Sequence, residues 1–413
     1  MLLSILAVGV ASAIAFQFPV LSHAGSLADI EHVVLFMQEN RAFDHYFGTM
    51  AGVRGFSDPN VQINSGRSVW YQDVVQNQTV PTDYLLPWYL NYLGGDFLNA
   101  TQCMLAGSNG WNPNHAALDG DLNDHWATNN TPWSWAYFQR SDIPVQYAIA
   151  DGWTIGDMYQ ESVIAATNPN RVTWVSGSIN VPGSPQNPNQ GGVYIDNNEV
   201  PGCEAPGLNC YPLSWKTTPE FYQDAGVTWQ VYQDTDNFDD NPLAWFEQYQ
   251  NAQNGTALSE RGMAFLGLDK FYSDAQAGTL PQISYIIGPT QLSEHPPYAP
   301  RDGAWLQKQV VDAVTRGKAY NETVLIISFD GKTPVPARPW TQCSSSHPNK
   351  YLGSNPSTTS PVCHFGRGYR ADSGLITESG GWGDHVTPYH SPVGTPGEWL
   401  EDPYGDVGYT YSG

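Results

Sequence analysis

The pattern of apolar and polar positions is most informative between Ile30 and Arg41. Ile30, Val33, Val34, Leu35, Phe36 and Met37 form a short apolar block that stops abruptly at Glu39-Asn40-Arg41. Such a block predicts a strand covered on both faces rather than an amphipathic helix. The polar triplet then sits at the strand's carboxyl end, where α/β enzymes place their chemistry. A second run, Val324 to Phe329, ends in the same way at Asp330. A third, apolar and small, leads to Thr167 and the turn signal Asn168-Pro169, which exposes a hydroxyl at an element's end. Taken alone, Thr167 reads as a helix cap, Asp330 as a strand-end carboxylate and the Glu39 triplet as a solvated loop.

Two stretches break the pattern. The first residues, MLLSILAVGVASAIAF, are apolar over about 15 residues, too short for a comfortable membrane span. They precede Leu21-Ser22-His23-Ala24, a small-residue cleavage pattern. Residues 1–24 are expected to be a secretory signal peptide, although a positively charged n-region is missing; an uncleaved buried element is the alternative. Gly331 to Thr377 shows neither helical nor strand periodicity and is rich in Ser and Pro. It holds Lys332, Arg338, Lys350, Arg367 and Arg370 against a single acid, Asp372.

That segment carries charge opposite to its host. The 413 residues include 40 acids and 17 bases, a formal charge of -23. This argues against a nucleic-acid partner and requires any anionic substrate to be captured by local positive charge, such as a metal. The length allows two or three domains, but one α/β core with long loops is the expectation. Sequons at Asn77, Asn99, Asn129, Asn254 and Asn321 fit a glycosylated secreted chain. Of five cysteines, Cys203 and Cys210 bracket a short loop that a disulfide could close, leaving Cys103 unpaired.

QENRAFDHYFG followed by GVRGF resembles the opening motif of the bacterial and fungal phosphoesterase family that includes phosphatidylcholine-hydrolysing phospholipase C and a related acid phosphatase. Further blocks fall in the family's order: ATNPNR at Ala166 to Arg171, SEHPPYAPRDGAW at Ser293 to Trp305, ETVLIISFD at Glu322 to Asp330, and ESGGWGDHVTPYHSP at Glu378 to Pro392. The resemblance implies a three-layer α/β/α fold with a central, mostly parallel sheet, similar to alkaline phosphatase, over residues 25–413. It also implies a metal-assisted phosphoester site. Deleting Gly331 to Thr377 joins ISFD to ESGGWGDHV and restores the family block. The segment is therefore read as a retained intron: Gly331-Lys332 can be encoded with a donor-like GGTAAG and Thr377-Glu378 with an acceptor-like ACAGAG. A functional surface loop or lineage-specific insertion is the alternative. The chain stops at Gly413, whereas relatives continue, so a truncated gene is also expected.

On the resemblance, Thr167 is the nucleophile that forms a covalent phospho-enzyme, activated by a metal because a threonine hydroxyl is weak at neutral pH. Glu39, Asn40, Asp330 and Glu378 match the metal ligands; as oxygen donors they suit Ca, Mg or Mn, with Zn an alternative. His295 is the first candidate general acid or phosphate-binding group, His115 the second and His385 the third. Asp384 either ligates the metal or orients His385. Arg41, Asn170 and Arg171 are assigned to substrate binding. His45 and His125 are read as structural. The chain also has 15 Trp and 23 Tyr, and WNPNH with NTPWSWAYF raises the alternative of an aromatic cage for choline. The expected function is secreted phospholipase C-like hydrolysis with transient contact to a membrane surface. Acid phosphatase action on phosphomonoesters, and an inactive binding protein or faulty gene product, are the alternatives.

Overall fold

The computed structural model describes residues 26–74, 83–91, 104, 107–157, 159–179, 181 and 213–330. Its central sheet holds β1 (His32–Gln38), β2 (Trp229–Tyr232), β3 (Ile283–Ile286) and β4 (Thr323–Phe329), in spatial order β4-β1-β3-β2. Every neighbouring pair in it is parallel. The β1–β4 register runs from His32 opposite Thr323 to Gln38 opposite Phe329, which brings Glu39 and Asp330 level at the carboxyl edge.

The helices are α1 (Phe43–Phe47), α2 (Trp111–Leu118), which lies in a lobe beyond the sheet, α3 (Pro144–Gly152), α4 (Thr167–Ser176), α5 (Thr218–Asp224), α6 (Leu268–Ala277) and α7 (Pro300–Thr315). Val34 and Phe36 pack with Phe271, Val310 and Val314 of α6 and α7. Leu35 points the other way and meets Val172 and Val175 of α4 with Trp245. Both faces of β1 are therefore covered, which is why its sequence is continuously apolar rather than alternating. The expected α/β layering around a mostly parallel sheet is present. β4 differs from the doubly covered strand its sequence suggests. It is the edge strand among the described residues, and Ile326 is 47% exposed.

Helix α7 begins with Pro300 at its first position, where a missing N–H costs nothing. Its apolar stripe of Leu306, Val310, Val311 and Val314 faces inward, while Lys308 and Asp312 pair on the outside at 3.1 Å. Gly303 packs against Glu294, and a Cβ there would lie 1.9 Å from Glu294 Cγ. Glu294 cannot easily swing aside, because its carboxylate accepts hydrogen bonds from Tyr46 Oη, Gln307 Nε2 at 2.6 Å and Gln146 Nε2 at 3.4 Å. Gly303→Ala is expected to cost about 1–3 kcal/mol of stability through overpacking, read as a lower urea midpoint. An unchanged midpoint would mean that the Glu294 loop yields freely.

Beyond α1 the chain builds a lobe of two-residue strand pairs and short helices around Val69, Trp70, Ala117, Trp126 and Trp135. Trp135, one of the indoles raised as a candidate for a choline cage, is thus buried core, as is Trp126 beside it in the cluster. Trp133 is half-buried and packs on Trp88 with ring centres 5.2 Å apart. Sequon residues Asn129, Asn254 and Asn321 are all exposed. Among the described residues no helix is long and apolar enough to cross a membrane. The expected signal peptide, the Cys203–Cys210 pair, the segment 331–377, Glu378, Asp384 and His385 lie outside the described residues.

Candidate active site

The site gathers at the carboxyl edge because all four strands point the same way. β1 delivers Glu39 and Asn40, β4 delivers Asp330, the loop after β3 delivers Glu294 and His295, and the loop after β2 delivers Asp240. Asn40 has a φ of 50°, a left-handed conformation that asparagine tolerates better than most residues. The turn lets its backbone N–H donate to Asp330 Oδ1 at 3.1 Å and its side-chain Nδ2 donate to Glu39 Oε2 at 3.0 Å.

Thr167 opens α4 and is 2% exposed. The helix cap is Ala166, with no side-chain bond, so the Thr167 hydroxyl is not consumed by capping. It donates instead to Glu39 Oε2 at 3.0 Å. This is the separation expected of a nucleophile and its base.

One helical turn on, Arg171 lies on the same face of α4 and is 1% exposed. Its Nε donates to Asp330 Oδ2 at 2.6 Å, and its Nη2 donates to Glu39 Oε1 at 2.7 Å and pairs with Asp240 Oδ2 at 3.1 Å. Three buried carboxylates thus share one guanidinium. Burial, then repulsion from Asp240, pushes Glu39 up to about 7, and burial raises Asp240 to about 7. Burial and Glu39 hold Asp330 well above the carboxylate range. Negative charge in this dry site exceeds what Arg171 neutralises. An oxygen-only donor set with surplus negative charge fits a hard divalent cation held by Glu39, Asn40 and Asp330.

Several site residues are placed differently from expectation. Arg171 does not face substrate; it sits behind the carboxylates as their counter-charge. Asn170 is also turned inward, with Nδ2 donating to Glu161 Oε2 and Val163 O, each at 3.0 Å, and Oδ1 accepting from Val163 N at 2.9 Å. It fastens the loop before the helix. His115 stacks on Trp111 with ring centres 3.9 Å apart, and its Nδ1 is 2.8 Å from Trp111 O; the neighbouring Asn114 lines the cavity instead.

Arg41 is buried, donating to Glu294 O at 2.6 Å and Tyr298 O at 3.0 Å, and it forms part of the wall of a cavity of about 90 Å³ beside Asn40. His295 lines the same cavity. Its Nδ1 hydrogen donates to Pro296 O at 2.6 Å, a tautomer assigned from this bond that leaves Nε2 with a lone pair in the neutral ring. Burial lowers its pKa below the ordinary histidine value, partly offset by the Pro296 bond. His45 is enclosed between Ala136 O and Arg41, and burial lowers its pKa to about 3. Apart from this site, Asp119, Asp124 and His125 bring ligand atoms within 4.8 Å of one another near the surface, where His125 pairs with Asp119 at 3.7 Å.

The sequence reading missed Asp240, Asn109 and the anchoring role of Glu294. Asp240 carried a weak signal, because NFDDNP follows the apolar run of β2 as a polar strand-end cluster. Asn109, whose Nδ2 donates to Asn40 Oδ1 at 2.6 Å, carried none.

The profile of the Phosphoesterase family matches residues 30–352. A non-hemolytic phospholipase C of Burkholderia pseudomallei is 34% identical over 365 residues, 79% of this chain and 48% of that protein. A hemolytic phospholipase C of Pseudomonas aeruginosa is 33% identical over 350 residues, 76% of this chain and 45% of that protein. Phospholipase C B of Mycobacterium tuberculosis is 29% identical over 398 residues, covering 92% and 64%. The chain spans about half the length of the first two relatives.

Proposed function

The chain belongs to the phosphoesterase family, and from that premise we propose that it is a phospholipase C-like hydrolase with Thr167 as nucleophile. The observation that carries this reading is the buried Thr167 hydroxyl donating to Glu39 at 3.0 Å. It lies where β1 and β4 deliver carboxylates that, among the described residues, pair with Arg171.

In the proposed reaction Thr167 Oγ attacks the phosphorus, forming a P–O bond as the bond to the glycerol oxygen breaks. The hydroxyl hydrogen passes to Glu39 Oε2, the acceptor of its hydrogen bond. The departing alkoxide takes a proton from His295 and leaves as diacylglycerol. Water then attacks the phosphothreonine, giving a proton to His295 as the new P–O bond forms; the bond to Thr167 Oγ breaks, Oγ takes back the proton held by Glu39, and the phospho-headgroup is released. A divalent cation bound by Glu39, Asn40 and Asp330 would supply positive charge to the non-bridging oxygens and activate the hydroxyl. Arg171 holds those ligands in place, and Glu294 holds the His295 loop through a residue with φ of 70°. Glu378 remains a proposed fourth ligand, secretion the proposed destination and segment 331–377 a proposed intron. Sequencing the transcript between the codons for Asp330 and Glu378 tests the last of these.

Product analysis tests the activity. Diacylglycerol released from phospholipid vesicles supports the diesterase. Inorganic phosphate from monoesters with intact lipid left uncut would favour the acid phosphatase.

His295→Ala is expected to lower kcat by about 10²–10⁴-fold on a lipid with a poor leaving group and much less on a p-nitrophenyl ester, whose leaving group needs no proton. Because burial lowers the His295 pKa, the wild-type rate should fall on the alkaline side below the usual histidine range, and the variant should lose that limb. Equal losses on both substrates would remove His295 as the acid.

A further inference from the structure

The loop after β2 is strained at one position that local turn chemistry does not explain. Asp240 N donates to Asn237 O at 3.1 Å, and the two residues between them, Phe238 and Asp239, both have a φ of 58°. Positive φ at both central positions is the pattern of a type I′ turn, which draws Asn, Asp or Gly to them. Asp239 fits that preference. A bulky phenylalanine in the left-handed region is an outlier, because its Cβ crowds the neighbouring carbonyl.

The residues on either side impose this conformation. Asn237 is buried, its Nδ2 donating to Gln233 Oε1 at 3.0 Å and its Oδ1 accepting from Asp239 N at 3.0 Å. Asp236 Oδ1 accepts from Thr290 Oγ1 at 2.5 Å, which ties the loop to the one after β3. Strain that the surroundings over-determine collects where a side chain has a task. For Phe238 the task lies at the tip of the turn. Its ring meets His295 nearly perpendicular, with centres 5.5 Å apart and planes at 75°, and meets Tyr298 at 6.3 Å and 89°. Pro296 O holds the His295 ring at Nδ1 from within its own loop, whereas Phe238 reaches it from the loop of a different strand. One hydrogen bond fixes one atom of the imidazole, and an edge-to-face contact fixes the plane of the ring. The same turn carries Asp240, which pairs with Arg171 at 3.1 Å. A single turn therefore touches the proposed acid and the cation behind the proposed metal ligands.

We propose that Phe238 is a positioning residue, held in a left-handed turn so that its ring keeps the His295 imidazole oriented to protonate the leaving group. What His295 does rests on the phospholipase C-like reading, and the tests separate the two. In the full chain with Mg²⁺, Phe238→Gly is expected to lower kcat on phosphatidylcholine vesicles about 10–10²-fold, with KM changed little. The loss should be much smaller on a p-nitrophenyl ester, whose leaving group needs no proton, and Phe238→Tyr should restore the lipid rate. With ¹³C-labelled histidine, the His295 ring signal, assigned by its absence from His295→Ala, should move or broaden in Phe238→Gly and return in Phe238→Tyr. Phe238→Gly should also unfold at higher urea than Phe238→Ala, since both lose the ring and only alanine keeps the strain. An unmoved His295 signal, a rate loss equal on both substrates, or an alanine variant more stable than the glycine one would overturn the assignment. A moved signal in a protein that cuts neither substrate, or whose turnover is unchanged, supports the positioning and counts only against the role that the phospholipase reading gives His295.

Discussion

Thr167→Ala is expected to lower kcat by at least about 10³-fold and to abolish phospho-enzyme formation, with divalent-cation affinity retained within a few fold. The hydroxyl makes one bond, to Glu39 at 3.0 Å, so its removal should cost stability only about 1 kcal/mol. Glu39, Asn40 and Asp330 keep their mutual contacts. A collapse of kcat with a preserved fold and preserved metal titration would therefore separate chemistry from architecture. Near-wild-type turnover would remove Thr167 from the mechanism.

Arg171→Met should produce the largest loss of stability in the molecule. Its guanidinium contacts Glu39, Asp240 and Asp330, all nearly inaccessible to water. Removing one partner of a buried ionic cluster typically costs about 3–5 kcal/mol. The sign of its pH dependence follows from the direction of the shifts. These acids already have folded pKa values above their unfolded ones, about 7 for Glu39 and for Asp240. Such groups contribute stability that is complete below the unfolded carboxylate range and is lost as pH rises through the folded value. Arg171 lowers all three, so its loss raises them further. The deficit should be larger at pH 8 than at pH 5, as read from urea midpoints at the two pH values. A deficit independent of pH would mean that lost packing, not charge, is responsible.

The parts of this site legible in the sequence were those written as contiguous signals. The apolar block before Glu39 and the run before Asp330 identified two strand ends, and the parallel β1–β4 register placed them side by side. Residues whose roles depend on the third dimension were not legible. Asp240 meets Arg171 across 69 positions of sequence, through a loop that no periodicity describes. Asn170 and Arg171 were assigned to substrate binding on the resemblance. Helical geometry instead puts position 171 on the same inward face as position 167, where a cation is needed to hold the acids. His115 and Asn114 are adjacent on α2, but the turn of the helix sets Asn114 into the cavity wall.

The most direct test of the account is to mix the protein with phospholipid and Mg²⁺, quench in acid during the first turnover, and map phosphate by mass spectrometry. Phosphate on Thr167, formed only with the divalent cation and accompanied by diacylglycerol, is the predicted result. Diacylglycerol appearing at the same rate with Thr167 unmodified throughout would contradict it.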